Sequence, residues 1–144
     1  MIWKNEAVSR LKAYQSKKLA LENIPLEIRQ QVLALSSIRS ADPDSTPVRG
    51  NSTREDAMLN NMVYRSELED SYLRTKLWVD ATDRALGVLT PEERTLLERF
   101  FIYAEPKAAD RLAGDLHMDV KTVYRRKDDA LRKFTVALYG TTES

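Results

Sequence analysis

From Arg54 to Leu86 the chain runs for about thirty residues without a proline or a glycine, the residues that most readily interrupt a helix. The stretch predicts one unusually long helix, stopped near Gly87 and Val88. Thr53, with Asp56 three residues on, has the pattern of an N-cap followed by an acidic first turn. The apolar residues of the helix (Leu59, Met62, Val63, Leu68, Tyr72, Leu73, Leu77, Trp78, Ala81, Ala85, Leu86) wander around its axis and keep no clean heptad. Two readings stay open: the helix packs on the N-terminal helices of its own chain, or it is an arm that joins two copies as a homodimer.

The rest of the chain fits an all-α protein. Of its 144 residues, 31% are charged and only four are glycine, a composition rich in good helix formers. Residues 1–35 are expected to form two helices. The first covers about Asn5 to Leu21, and the second starts at Pro25, whose missing N–H costs nothing in a first turn, and carries Ile28, Val32 and Leu35 on one face. Residues 36–53, rich in Ser, Thr, Asp, Asn and Pro, are expected to be a flexible linker, and residues 54–89 the long helix. The absence of cysteine rules out disulfides and thiolate chemistry and favours a cytoplasmic setting. No apolar run is long enough for a signal peptide or a membrane span.

Residues 90–144 carry the densest set of signals. Thr90-Pro91-Glu92-Glu93 combines an N-cap, a proline at the first helical position and a capping-box glutamate. Leu96, Leu97, Phe100 and Phe101 give the helix an apolar face, and Pro106 ends it. A short helix from about Lys107 to Leu116 follows, then a turn at His117. Asp119 caps a last helix whose Val120, Val123, Ala130, Leu131, Phe134 and Leu138 are expected to face inward, up to a stop at Gly140.

Two helices joined by so short a turn cross steeply, and Ala113 supplies the small residue needed at the crossing. Net charge is only +1, but residues 119–134 hold six basic side chains against three acidic ones. Lys121, Thr122, Tyr124, Arg125 and, further round, Arg126 are expected on the outer face of the last helix. In a helix-turn-helix that face enters the major groove of double-stranded DNA, where Arg or Lys reads guanine and Thr meets the thymine methyl. Lys107 and Arg132 are placed to meet phosphates.

The stretch from Arg111-Leu112-Ala113 through Val123-Tyr124-Arg125-Arg126 to Ala130-Leu131-Arg132-Lys133-Phe134 resembles region 4 of bacterial sigma-70 factors. With Met1-Ile2-Trp3-Lys4-Asn5-Glu6-Ala7 and Leu138-Tyr139-Gly140 included, nearly the whole chain resembles the RinA/ArpU-type late-gene transcriptional regulators of phages and prophages of Gram-positive bacteria. The resemblance implies sequence-specific DNA binding, activation of late or packaging genes in a bacterial host cell, and contact with RNA polymerase. Two positions depart from the pattern: His117 stands where the turn usually has glycine, and Arg126 where an apolar residue is expected, so that either the bundle loosens there or Arg126 faces the DNA and Lys127's stem covers the core in its place. Two alternatives are a small-terminase-like packaging-initiation protein, which would assemble into a large ring, and a helical interaction module without DNA binding.

No catalytic constellation is present. The lone His117 can build neither a histidine metal site nor a Ser-His-Asp triad, and no phosphate-cradling glycine motif occurs, so no cofactor or metal is expected. Trp3 and Trp78 are expected to be half-buried rather than partner anchors.

Overall fold

The computed structural model describes residues 3–40 and 53–142, and among these every regular element is helical. The order is α1 (Trp3–Arg39), α2 (Arg54–Leu86), α3 (Pro91–Leu97) continued by a π-helical turn (Glu98–Ile102), α4 (Ala108–Asp115) and α5 (Val120–Tyr139).

The N-terminal region corrects two expectations. It is one helix of 37 residues with Pro25 inside it, not two helices meeting at Pro25. Proline cannot donate to the Leu21 carbonyl, which costs an interior helix about 3 kcal/mol. No other proline and no glycine lies between Trp3 and Arg39, so the propensity of the remaining residues carries the helix through. Helix also continues through residues 36–39 of the expected linker, and Ser40 closes it by donating from both its amide and its hydroxyl to the Ser36 carbonyl. The rest of that linker, residues 41–52, lies outside the described residues.

Helix α2 runs as its composition predicts. At its start the Asp56 amide donates to Thr53 Oγ1 at 3.1 Å and the Thr53 amide donates to Asp56 Oδ2 at 3.3 Å, a reciprocal cap.

The chain divides into two compact units. One, residues 19–77, contains the end of α1 and most of α2. Inside it Asn61, buried on α2, donates to the Gln31 carbonyl of α1 at 2.8 Å.

The other unit joins the first turns of α1 and the last turns of α2 to everything after them, so residues 90–144 share their compact unit with the N-terminus. Here α3 and α4 both pack on α5. The Trp3 ring stacks on Tyr139 at 5.0 Å, and the Arg10 guanidinium lies 4.7 Å over Trp78 while donating to Thr82 Oγ1 at 2.9 Å. Both tryptophans are half-buried, as expected. Tyr14 is buried and donates its hydroxyl to Asp83, and burial followed by that neighbouring carboxylate pushes the phenol's pKa up.

Leu11 of α1 is fully buried. Leu11→Ala should therefore lower the stability of the unit holding α3 to α5 by about 2–5 kcal/mol. Urea unfolding followed by helical circular dichroism and by the fluorescence of Trp3 and Trp78 checks this: both signals should shift together.

Candidate nucleic-acid interface

The surface around α5 is set by what terminates the elements before it. Thr90 accepts from the Glu93 amide at 3.2 Å and Glu93 returns to the Thr90 amide at 2.9 Å, so the expected capping box starts α3. The π-helical turn then inserts one residue into the helical register, with the Tyr103 amide donating to the Glu98 carbonyl at 2.7 Å. As a result Ile102 is buried while Phe100 and Phe101 stay half-buried, which the 3.6-residue period does not anticipate.

Helix α4 is bracketed by two non-glycine residues in the left-handed region, Lys107 and His117, each at φ 55°. His117 thus takes the backbone position that glycine occupies more cheaply. Leu96, Ala108, Ala109, Leu112 and Val123 form the buried cluster beneath the α4–α5 crossing, with Ala113, Leu116 and Met118 packed against it. After the turn Asp119 accepts from the Thr122 amide at 2.7 Å and caps α5.

A clasp absent from the sequence reading holds the crossing. Arg99 donates through Nε to Glu105 at 2.7 Å and through a terminal nitrogen to Asp115 at 2.7 Å, tying the π-helical turn to the last turn of α4. These two carboxylates hold the guanidinium's pKa above its ordinary value, Asp115 contributing most.

The site residues separate by position. Lys121 and Arg125, one turn apart on the exposed side of α5, make no ion pair among the described residues, and neither does the exposed Lys107. Arg125 lies close enough to Asp119 to help lower that carboxylate's pKa, after the larger effect of the Thr122 hydrogen bonds. Thr122 is half-buried, and Tyr124 leans on Phe100 with ring centres 5.9 Å apart.

Arg126 pairs with Glu92 at 2.6 Å and so is tied to α3. The Lys127 stem covers the core instead, its ammonium 5.5 Å from the rings of both Phe100 and Tyr124. Further along, Lys133 pairs with Glu93 at 2.8 Å, and Arg132 with Asp129 at 3.7 Å. Val120, expected inward, is exposed and stands outside the buried cluster beneath the crossing; Leu138 is half-buried.

Among the described residues no group of three or more His, Asp or Glu could hold a metal ion, and no helix is long and apolar enough to cross a membrane.

Fold and surface together define a small all-helical protein whose last helix presents, at its capped N-terminus, exposed cations that form no ion pair among the described residues. The chain matches no protein-family model, no curated protein and no solved structure.

Two predictions follow from the caps and the turn. Lys133 and the Thr90 amide lower the pKa of Glu93, and the Thr122 hydrogen bonds lower that of Asp119. For carboxylates depressed in the folded state, the stabilisation is complete above their unfolded range near pH 4 and is lost as pH falls through the lower folded values. Urea midpoints should therefore be flat from about pH 7 to 5 and decline below about pH 4. Asp119→Ala should lower the urea midpoint at pH 7 and show a shallower acid decline. His117→Gly should act in the opposite sense, raising stability by about 1 kcal/mol in the same assay, because glycine relieves the left-handed strain.

Proposed function

We propose that this chain is a sequence-specific double-stranded-DNA-binding transcriptional regulator that reads bases with the first turns of α5. One observation carries the reading: Lys121 and Arg125 are exposed at the start of α5 and, among the described residues, form no ion pair, whereas Arg126, Lys127, Arg132 and Lys133 further along each form one. A merely solvated basic helix has no reason to leave its cations unpaired only at the end that a helix-turn-helix inserts into the major groove.

The outward face also turns acidic at Asp128 and Asp129, which limits base contact to about the first turn and a half. Arg125 is the base reader, Lys121 and Thr122 its neighbours, and Tyr124 flanks them from Phe100. Lys107 and Arg132 meet phosphates. Arg126, engaged by Glu92, serves to hold α5 on α3. The resemblance to phage late-gene regulators supports activation of late or packaging genes, RNA polymerase as a further partner, and action in the cytoplasm of a bacterial host. A homodimer carried by α2 completes the reading.

The test is a salt-dependent titration of the full chain against genomic fragments it retains and against random duplex. Arg125→Ala should weaken the preferred site by about 1–3 kcal/mol and relax preference at one base position. Arg132→Ala should weaken all sequences alike and flatten the salt dependence. Arg126→Ala should leave base preference intact. Unchanged affinities for Arg125→Ala, in a protein still folded by circular dichroism, would overturn the assignment.

A further inference from the structure

Helix α2 has two unlike faces. Asn61, Leu68 and Thr75, seven residues apart, are buried or half-buried on the side from which Asn61 bonds α1. On the opposite side lies an exposed stripe, Leu59, Val63, Ser66, Asp70, Leu73 and Leu77, spaced by four, three, four, three and four residues, the spacing of a coiled-coil seam. Its leucines are conspicuously open: Leu59 is 58%, Leu73 60% and Leu77 71% exposed.

The order of the stripe is symmetric. Steps and residue types (two apolar, two polar, two apolar) are the same in either direction along the helix. Such a surface is self-complementary under a two-fold axis that reverses the helix, which is the requirement for a closed dimer interface between identical chains.

We propose that a second copy of this chain docks on this face of α2, antiparallel, with the two-fold axis passing between Ser66 and Asp70. In that register Leu59 meets the partner's Leu77, Val63 meets the partner's Leu73, and Ser66 meets the partner's Asp70, hydroxyl donating to carboxylate, each contact occurring twice. A parallel pairing would set Asp70 against the partner's Asp70 inside the seam, so charge selects the antiparallel form.

Leu59, Met62, Val63, Leu73 and Leu77 offer roughly 500 Å² of apolar surface per copy, or about 1,000 Å² for the pair, the size at which specific interfaces begin. The exposed leucines of α1 do not compete. Leu19, Leu26 and Leu33 stand in single file seven apart, and the positions that would complete a seam hold Glu22, Asn23, Arg29 and Gln30.

The inference refines the homodimer of the functional reading but uses none of its DNA contacts, so it is tested without DNA. At tens of micromolar the full chain should have twice the 16.5 kDa mass of one copy by sedimentation equilibrium; a single-copy mass or a larger ring overturns the proposal. Leu73→Glu should weaken the dimer by at least a hundredfold while remaining helical, and Leu33→Glu on α1 should leave it unchanged; the reverse pattern overturns it.

Orientation is read by cross-linking, since the chain has no cysteine of its own. Leu59→Cys alone and Leu77→Cys alone should stay uncoupled under mild diamide oxidation, while their mixture, equilibrated before oxidation, gives a covalent dimer. Coupling of Leu59→Cys with itself, or no coupling in the mixture, overturns the antiparallel register.

Discussion

What the first turn of α5 presents depends on how abruptly the chain reverses between Leu116 and Val120. Three constraints make that reversal: His117 in the left-handed region ends α4, Asp119 accepts the Thr122 amide to start α5, and Arg99 holds Asp115 from the π-helical turn behind it. The first is unfavourable in isolation, by about 1–2 kcal/mol for a residue with a Cβ. It is offset by the buried cluster under the crossing, where Leu96, Leu112 and Val123 are fully excluded from solvent. Strain at the turn and packing beneath it are therefore parts of one arrangement: the left-handed turn lets Val123 reach Leu112, and their contact holds the turn.

The same arrangement sorts the charges of α5. Glu92 and Glu93 belong to the cap of α3, where carboxylates are favoured by the helix dipole, and from there they engage Arg126 and Lys133. One local feature, the capping box, thus also neutralises cations on the neighbouring helix. Lys121 and Arg125 lie too near the start of α5 for those glutamates and keep their charge available. The position of Arg126, where a bundle helix would otherwise place an apolar residue, follows as well: its guanidinium leaves the core for Glu92, and the Lys127 stem fills in against Phe100 and Tyr124.

Much of this was legible in the sequence because its causes are local. The caps at Thr53, Thr90 and Asp119, the unbroken run of α2 and the stop at Gly140 each depend on residues within four positions of one another. What was not legible depends on competition or on distance. Pro25 has the same appearance at a helix start and inside a helix, and only the continuity of the flanking segments decides between them. The π-helical turn has no compositional mark. The Arg99 clasp joins residues 16 apart and the Arg126–Glu92 pair residues 34 apart, separations at which any of the many charged side chains could have been the partner. The outward direction of Lys121 and Arg125 was legible from the period of Val123, Ala130 and Phe134. That neither forms an ion pair among the described residues was not.

The apolar residues of α2 illustrate how a pattern that looks irregular can be the sum of two regular ones. Taken together, Leu59, Met62, Val63, Leu68, Leu73 and Leu77 drift around the helix and fit no single stripe. Separated by exposure, they resolve into a covered face repeating every seven residues through Asn61, Leu68 and Thr75, and an open face stepping by four and three. The covered face also carries a polar contact, since Asn61 satisfies the Gln31 carbonyl directly. Leu59, Leu73 and Leu77 are left on a side that no described residue covers, which is why the full set of apolar positions fits no single stripe.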